Sequence, residues 1–505
     1  MSRIRRKLAG LLLGFMFGLL ALELVPVQPA QAFTSSNADT AMSAFVSTFW
    51  NSTTKYFYTN SDHQIHTHAF GPESGLYTDF WWEAQLWETV MDAYQRTNSS
   101  TYRQMIDDVY DGFAAYYPTF YNNFNDDQGW WALASIRAYE ITGSTRYKDR
   151  AVSLFNTIYG ESDSTLGGGI WWRKSPHDQK NVATNGPAII TAVKLKNATG
   201  DSTYLTKAQS LYSWMKSNLS DGAGHVYDHV DSTGVSKWDF TYNFGAFIGA
   251  AGALYGATST SSYLTDATNA ANWVTGKLTN GGTLLYEGVD DGGGFKMILA
   301  RYLNRLVVDQ GQTQYRVFLQ NNATQAWNHR RTSDNIIGLD WSAPTNSGFI
   351  QSLTSAAGAA IMQFVPADNV TGILAENGTC EAENGSLHSL SSEATYSGYH
   401  GTSYLAGWNS NGQWVDFTVN VASSGNYTLT LRYAAGAGNA SRYIFVNGSG
   451  IVSNQSFANT GSWSTWNTVT ISGVALNAGN NTVSVIFSST QGSNNWLNLD
   501  ELTVS

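Results

Sequence analysis

Two consecutive aspartates stand beside two tryptophans in the segment Asn125-Asp126-Asp127-Gln128-Gly129-Trp130-Trp131. Two carboxyl groups that flank one bond are what the cleavage of a glycosidic linkage requires, and a separation of about 5–5.5 Å between them retains the configuration of the sugar. Neighbouring residues reach that separation only where their side chains diverge, as the start of a helix permits. The structural alternative is that Asp126 is a helix N-cap and Asp127 an acid of the first turn. Position alone favours neither interpretation.

Two further Asp-Asp pairs compete for the same role. Asp107-Asp108 lies within a clean amphipathic pattern, which indicates the solvated face of a helix. Asp290-Asp291 precedes three glycines and is predicted to lie in a long loop. Because it has no tryptophans beside it, the second pair is a rival to Asp126-Asp127, but the weaker one.

Aromatic and acidic residues in or beside other predicted loops are candidates to line a sugar-binding groove. Such residue types also serve core packing, but their concentration in the loops of one face exceeds what packing requires. The candidates are Trp130, Trp172, Asp239, Asp291 and Trp341.

The apolar pattern that must position these residues changes its period once along the chain. Between residues 37 and 363 apolar residues recur every three or four positions, which predicts helices. Between residues 380 and 505 they alternate every second position, which predicts strands. We therefore expect an all-α domain followed by an all-β domain. Twelve helices are predicted, with starts near residues 37, 80, 100, 128, 145, 184, 203, 241, 261, 292, 312 and 346.

A short turn followed by tyrosine recurs through the helical half. The recurring tyrosines are Tyr102, Tyr147, Tyr204, Tyr263 and Tyr315, between 45 and 59 residues apart. A turn between two amphipathic stretches is a helical hairpin, and its repetition predicts a ring of six hairpins. In such a ring all the long loops fall on one face, where function usually lies. Every second helix, starting with the second, is expected to form the inner ring.

The chain begins with the pattern of an export signal. Four basic residues among the first seven precede an apolar run over residues 8–22, and Ala30 and Ala32 supply the small residues that predict cleavage after residue 32. The apolar run is shorter than the ~20 residues that span a bilayer. We therefore expect a secreted, extracellular protein without a membrane span, whose first domain begins at residue 33.

Composition excludes some partners and one kind of stabilisation. The net charge of −10 argues against nucleic acid, which requires clustered Lys and Arg. The single cysteine, Cys380, excludes an intrachain disulfide. Stability must then come from core packing, which 18 Trp, 27 Tyr and 23 Phe can supply. We expect a monomer.

With the hairpin pattern and Asn125-Asp126-Asp127-Gln128, residues 37–365 resemble glycoside hydrolase family 76, a family of (α/α)6 enzymes that cleave α-1,6-linked mannan with retention of configuration. The resemblance implies an all-α (α/α)6 barrel of six hairpins over residues 33–366. It also implies that Asp126 is the nucleophile and Asp127 the general acid/base, an order that the physical argument alone does not set. Since the family includes fungal wall transglycosylases, water as the acceptor is inferred from the export signal and the appended module. No cofactor is implied for catalysis.

The β half, residues 380–505, follows a short linker over residues 367–379. It opens with Cys380-Glu381-Ala382-Glu383 and closes with Asn498-Leu499-Asp500-Glu501-Leu502, with alternating strands between them. Strands of period two at this spacing predict a β-sandwich or jelly roll. The opening and closing segments resemble carbohydrate-binding modules of family 6, with family 35 a close second.

This second resemblance implies two sites in the module. A structural Ca²⁺ would be held by Glu381, Glu383 and Asp500, which supply the hard oxygen ligands that calcium takes. A sugar would be sandwiched and hydrogen-bonded by Tyr404, Trp463 and Asn498. The loop over residues 494–496 departs from the usual pattern, so the resemblance does not set the class of glycan.

Three functional hypotheses follow from these observations. The leading one is a secreted, endo-acting α-1,6-mannanase whose partner is mannan or another α-mannose-containing polysaccharide. A second is another (α/α)6 activity, such as an unsaturated glycuronyl hydrolase or a polysaccharide lyase, although no Tyr or His base with a charge-neutralising partner stands out. A third is a glycan-binding wall protein with an inactive helical domain, against which the intact Asp126-Asp127 pair argues.

Overall fold

The computed structural model describes residues 33–365, 373–375, 378–421, 423–490 and 493–505. The predicted export segment, residues 1–32, lies outside the described residues, as do residues 366–372 between the two halves. Within the described residues, no helix has the length and apolar character needed to cross a membrane.

The described helical half contains twelve long helices and one four-residue turn, α2 (Pro72–Gly75). The long helices are α1 (Ser35–Phe49), α3 (Phe80–Thr97), α4 (Ser100–Tyr116), α5 (Asn125–Thr142), α6 (Thr145–Tyr159), α7 (Val182–Thr199), α8 (Thr203–Leu219), α9 (Thr241–Thr258), α10 (Ser261–Lys277), α11 (Gly292–Gln310), α12 (Arg316–Asn328) and α13 (Ser352–Phe364). Short turns join their pairs. Gly143, Gly200 and Gly311 end α5, α7 and α11 in the left-handed conformation that glycine adopts without strain.

The start of α13 differs most from the prediction, which put it near residue 346. The residues before it run extended instead, because their backbone pairs with a loop near the N-terminus of the described chain. Ser61 N donates to Ile350 O (2.9 Å), and Ser352 N donates to Thr59 O (2.8 Å). Backbone groups bonded to another segment are not available for a helix, and apolar periodicity does not reveal such pairing.

The inner helices close into a ring. α3 packs on α5, α5 on α7, α7 on α9, α9 on α11, α11 on α13, and α13 on α3 again. The remaining long helices pack outside, each against at least one inner helix. Small residues allow the inner helices to approach closely: a Cβ on Gly245 would lie 2.7 Å from the Cα of Leu299, and one on Gly186 would lie 2.7 Å from the Cβ of Ala246.

The starts of the inner helices meet at one end of this ring. Trp82, in the first turn of α3, donates from Nε1 to Asp291 Oδ1 just before α11 (2.9 Å). Trp172, in the loop before α7, donates from Nε1 to Asp126 Oδ2 in the first turn of α5 (2.9 Å). Short sheets stiffen the long loops around this end. They comprise β1 (Trp50–Asn51) with β2 (Tyr56–Phe57), β3 (Gln179–Asn181) with β4 (His229–Asp231) and β5 (Gly234–Ser236), and β6 (Thr279–Asn280) with β7 (Thr283–Leu284).

The β half consists of two packed sheets. The first has the order β10-β13-β18-β15-β16, with β8 beside β13, and the second has the order β11-β12-β19-β14-β17, with β9 beside β19. The strands are β8 (Ile373–Ala375), β9 (Thr379–Glu381), β10 (Ser386–His388), β11 (Ser391–Glu393), β12 (Tyr404–Ala406), β13 (Trp414–Val421), β14 (Gly425–Ala434), β15 (Ala440–Val446), β16 (Ser449–Phe457), β17 (Asn467–Leu476), β18 (Gly479–Ile486) and β19 (Asn498–Val504). The segment predicted as a linker thus supplies β8, which pairs in parallel with β13.

Strand β13 is buried on both faces, each against a different partner. Successive side chains of a strand point to opposite faces of its sheet. Val415 and Phe417 point inward to the core between the two sheets, whereas Trp414 belongs to the buried cluster of the helical half. The first sheet therefore packs against the helices as well as against the second sheet.

Candidate active site

The starts of five inner helices and strand β3 enclose a pocket of about 250 Å³. Seven of its lining residues are aromatic, three are aspartates, and none is Lys or Arg. The aspartates are Asp126, Asp228 and Asp291. Rings and carboxylates without cations suit a neutral, hydroxyl-rich ligand, since rings pack on its apolar faces and carboxylates accept from its hydroxyls.

Asp126 lies on the pocket wall with its carboxylate held at the start of α5. It accepts a hydrogen bond from Trp172 Nε1 and from the backbone amides of the first helical turn. Its Oδ1 atom is buried and has no hydrogen-bond partner among the described residues. Burial raises the pKa of Asp126 to about 7, and the bonds from Trp172 and the amides oppose that rise. An acceptor atom that is buried beside a pocket and unpaired is available to a ligand.

Asp127 projects away from Asp126 towards a different set of neighbours. Asn122 Nδ2 donates to its Oδ2 (2.5 Å). Burial raises the pKa of Asp127 well above its ordinary value, and the charges of Asp126, Asp79 and Asp291 raise it further. Since Asp126 has the stronger donors to its charged form, Asp127 is the member of the pair that keeps a proton at neutral pH.

Lys174 is the cation next to the pair. Its Nζ donates to Asn125 Oδ1 (2.6 Å) and to Asn122 O (3.1 Å). Burial lowers the pKa of Lys174 to about 8, while the positive charge lowers the pKa of Asp127. The sequence placed Lys174 in a loop run that could line a groove, two residues after Trp172, but did not predict its position beside the acid pair.

The side chains of Asp290 and Asp291, the rival acid pair, point to different neighbours. Asp290 has a left-handed backbone (φ 56°), and its Oδ1 accepts from Gln351 Nε2 (2.6 Å). Asp291 points into the pocket, where its Oδ1 accepts from Trp81 Nε1 (3.1 Å) and Trp82 Nε1 (2.9 Å). Only Asp291 therefore lines the pocket, and the two carboxylates do not act on one bond.

Asp228 is a lining residue that sequence reasoning missed. It is 5% exposed, accepts a hydrogen bond from the Tyr242 hydroxyl, and lies 2.6 Å from His229 Nδ1. Asp228 raises the pKa of His229 through this contact. No local pattern marks it, because Asp228 and Tyr242 come together only when the loop before β4 packs on α9.

Some of the predicted groove residues line the pocket and others do not. Trp130 and Trp172 line the pocket, although Trp130 is only 4% exposed. Asp239 points to the side, where its Oδ1 lies 2.6 Å from His225 Nε2, and its neighbour Trp238 lines the pocket instead. Trp341 is 1% exposed and packs against Lys296, so its predicted role in the groove was wrong: a buried ring has no face to offer a sugar.

The three residues predicted to bind a sugar in the β half differ in their exposure. Tyr404 is fully buried, and its hydroxyl donates to Glu393 Oε1 (3.0 Å), so it cannot stack on a sugar. Tyr396 is 37% exposed, and its ring lies 6.1 Å from that of the partly exposed Trp463. Asn498 is buried, and its Nδ2 has no hydrogen-bond partner among the described residues.

Among the described residues, the acidic and histidine ligand atoms that lie within 4.8 Å of one another are those of His400, Asp500 and Glu501, so only Asp500 of the three predicted metal ligands belongs to that group. Glu381 Oε2 and Glu383 Oε2 are buried and lack hydrogen-bond partners among the described residues. Burial raises the pKa of Glu381, and the charges of Glu383, Glu501 and Asp500 add to that rise. The unpaired oxygens of Glu381 and Glu383 would suit a hard divalent cation, whereas both oxygens of the Asp500 carboxylate accept from His400 N (3.2 and 3.1 Å). Arg432 forms an ion pair with Asp500 at the edge of this cluster.

Comparison with known families divides the chain at the same boundary as the fold. The profile of glycosyl hydrolase family 76 matches residues 34–374, and that of carbohydrate binding module family 6 matches residues 381–505.

Two curated relatives match parts of the chain. The mannan endo-1,6-alpha-mannosidase DCW1 of Saccharomyces cerevisiae is 30% identical over 217 residues, which are 37% of this chain and 48% of that protein. The isomaltosyltransferase of Sporosarcina globispora is 40% identical over 124 residues, which are 25% of this chain and 11% of that protein. The chain spans about half the length of the mannosidases it matches.

A solved structure matches the helical half. The GH76A α-1,6-mannanase of Salegentibacter sp. HEL1_6 has a TM-score of 0.60 and 29% identity, covering 65% of this chain and 98% of that one. An inactive variant of that enzyme, with two consecutive aspartates replaced by asparagine, was solved in complex with α-1,6-mannotriose. Because the family profile covers well over half of the sequence, the chain belongs to glycosyl hydrolase family 76.

Proposed function

We propose that this protein is a secreted, endo-acting glycoside hydrolase that cleaves α-1,6-mannosidic linkages in mannan with retention of configuration. The observation that carries the proposal is the pair Asp126 and Asp127: two adjacent carboxyl groups beside an aromatic, cation-free pocket, in environments that separate their pKa values. The inactive aspartate variant of the Salegentibacter enzyme supports the choice of a consecutive pair.

The two carboxyl groups have separate tasks in this reaction. The Asp126 carboxylate attacks the anomeric carbon, and the bond to the leaving oxygen breaks as Asp127 donates its proton to that oxygen. The result is a mannosyl ester of Asp126. Asp127, now ionised, takes a proton from water, whose oxygen attacks the same carbon and releases Asp126. Trp172 holds Asp126 in position by its hydrogen bond throughout.

Asp228 and Asp291 serve substrate binding in this proposal. Asp291 accepts from both tryptophans through Oδ1, so Oδ2 remains to accept a bond from a sugar hydroxyl. Asp228 is oriented by Tyr242 and His229 at the opposite wall. The lining contains no cation, which disfavours the acidic sugars that glycuronyl hydrolases and lyases take.

The two domains complete the proposal. The closed ring of inner helices supports an (α/α)6 barrel, and the two-sheet module supports a jelly roll that binds mannan through Trp463, Tyr396 and Asn498. Glu381, Glu383 and Asp500 would hold a Ca²⁺ ion that cross-links the opening and closing strands of the module.

Incubation of residues 33–505 with linear α-1,6-mannan tests the function. We expect oligosaccharides of intermediate length as early products, with the α-anomer appearing first in proton NMR spectra. Mannose alone would contradict endo action, and a β-anomer formed first would contradict retention. No product from mannan, with turnover of an acidic polysaccharide instead, would move the protein to another activity.

Substitution separates the tasks of the two aspartates. Asp126→Ala should turn over no substrate, because no ester can form. Asp127→Ala should lose about 10²–10⁴-fold on mannan, retain the first step on a mannoside with an activated leaving group, and be rescued by azide in the second. Asp290→Ala is the comparison variant, for which we expect an effect of less than tenfold. Exchange of the rescue pattern between Asp126 and Asp127 would reverse the assignment.

A further inference from the structure

A second depression, of about 480 Å³, lies on the same end of the ring as the catalytic pocket. Its floor comes from the loop before α13 and the first turn of that helix, and its rim from the loop before α11. Three large apolar side chains at its edge are exposed: Tyr286 (56%), Val289 (62%) and Phe349 (43%). Exposed apolar groups that gather around one concavity indicate a binding site rather than packing.

Along the backbone, only Asp290 separates Val289, which lines the depression, from Asp291, which lines the catalytic pocket. Gln351 lines the depression, donates from Nε2 to Asp290 Oδ1 (2.6 Å) and accepts from Asp290 N at Oε1 (2.8 Å). The next residue, Asp291, lines the catalytic pocket. The two concavities are therefore neighbours, close enough for one extended chain to reach both.

The loop that forms the floor is held rigidly. Gly338 N donates to Thr345 Oγ1 (2.8 Å), and Thr345 N donates to His329 O (2.8 Å). Arg331 Nη1 donates to Gly348 O (2.6 Å). A platform fixed by so many bonds loses little conformational entropy when a ligand binds.

The aromatic ring of Phe349 has one face covered and one face free. The imidazole of His66 covers one face, with ring centres 3.6 Å apart and planes within 4°. His66 is itself held by Asp62, 2.9 Å from its Nε2. The ring is nevertheless 43% exposed, so its other face is open.

Charge indicates what the depression accepts. Asp340 is the one charged residue among the described residues that line it, and its Oδ1 accepts from Ser342 Oγ (2.6 Å). Anionic ligands are therefore disfavoured. A neutral pyranose has apolar C–H faces for an aromatic ring and hydroxyls for Asn346 at the edge.

We propose that this depression is a remote subsite, which binds a mannose residue of the substrate chain distant from the cleaved bond, by stacking on Tyr286 and Phe349. The inference rests on the proposed function. Such a subsite would make the enzyme prefer long chains over short ones.

The test is the dependence of activity on chain length. We expect Tyr286→Ala and Phe349→Ala to lower the ratio of kcat/KM for α-1,6-mannohexaose to that for α-1,6-mannotriose between about threefold and tenfold, the range that one aromatic contact supplies. Tyr286→Phe keeps the ring and should restore the parent ratio. The fall should reside in KM rather than kcat, since a remote contact is equally strong in the ground and transition states.

A binding measurement separates the possible failures. Titration of mannohexaose into an Asp126→Asn/Asp127→Asn protein should give tighter binding than mannotriose, and adding Tyr286→Ala should remove most of the difference. An unchanged ratio and an unchanged binding difference in an enzyme that cleaves mannan would overturn the subsite alone. A parent protein that neither binds nor cleaves these oligosaccharides would overturn the subsite together with the proposed function.

Discussion

Asp126 and Asp127 have the same side chain, and in the proposed mechanism their different surroundings make one the nucleophile and the other the acid. Asp126 faces the positive end of the α5 dipole and accepts from Trp172, both of which favour the carboxylate. Asp127 faces away from those donors and feels the charges of Asp126, Asp79 and Asp291. Burial of both groups strengthens each of these effects, because the local dielectric is low.

We expect Lys174 to influence the upper end of the working pH range. Its charge lowers the pKa of Asp127, so Lys174→Met should raise that pKa further. The acid must be protonated to act. The pH at which the Lys174→Met enzyme loses activity should therefore be higher than in the parent. The measurement is the alkaline limb of the pH profile of kcat/KM on mannooligosaccharides.

The control for this prediction is Lys277→Met, an exposed lysine at the end of the outer helix α10, which should leave the profile in place. An alkaline limb that stays fixed in Lys174→Met would separate Lys174 from the acid. A limb that moves to lower pH would indicate that Lys174, with a pKa of about 8, itself limits activity.

At the scale of the elements, glycines decide how closely the inner helices approach. Helix α9 contains several, but they are not equivalent. Gly245 lies against the backbone of α11, where an added Cβ would meet Leu299 Cα at 2.7 Å. Gly252 lies on the same helix, and an added Cβ there would have nothing within 4 Å.

Alanine substitutions at these two glycines should therefore act in opposite directions. Gly245→Ala forces two helices apart and should destabilise the protein by about 1–3 kcal/mol. Gly252→Ala removes unfolded-state entropy without a clash and should stabilise it by about 0.5–1 kcal/mol. Urea unfolding followed by circular dichroism measures both. Equal destabilisation by the two variants would contradict the close approach of α9 and α11.

The calcium prediction belongs to the strands that open and close the module. If Glu381, Glu383 and Asp500 bind Ca²⁺ in the folded state only, the ion stabilises that state by mass action, about 2.7 kcal/mol when its concentration is 100 times Kd. EDTA should then lower the melting temperature of the parent, and Glu383→Gln should abolish that response. An EDTA effect of the same size in Glu383→Gln would place the ion elsewhere.

At the scale of the whole molecule, the two halves share a buried interface. Arg316, at the start of α12, is 5% exposed and forms an ion pair with Asp416 of β13. It also donates to His388 Nε2, and its guanidinium lies 5.0 Å from the ring of Trp414. Burial and Arg316 together keep the pKa of His388 well below its ordinary value, so the histidine stays neutral and accepts that bond.

Arg316→Met should uncouple the halves, because it leaves the Asp416 carboxylate buried without its partner. Breaking one side of a buried ion pair costs about 3–5 kcal/mol. Scanning calorimetry should then resolve two transitions where the parent has one. The double variant Arg316→Met/Asp416→Asn should recover part of the loss, since neither charge remains. A single transition at the parent temperature in Arg316→Met would show that the halves are independent of this pair.

The elements and the acid pair could be read from the sequence because both are local signals. The period of apolar residues reports which side of a helix or strand is buried, and ten of the twelve long helices begin within three residues of the predicted starts. Asp126 and Asp127 are adjacent in sequence beside tryptophans, so no folding step was needed to bring them together. The three acidic residues proposed to bind Ca²⁺ were likewise selected from the opening and closing segments of the module.

Only the tertiary structure decided which partner each buried residue meets. The sequence does not show that Trp414 packs against the helical domain. It also does not show that Trp341 is buried within its own domain. Contacts between segments far apart in the chain place Asp228 in the pocket lining, turn Asp290 towards Gln351, and leave Tyr396 exposed while Tyr404 is buried. Charges act on a carboxyl group through space rather than along the chain, so only the fold shows that Asp126 and Asp127 have different electrostatic surroundings.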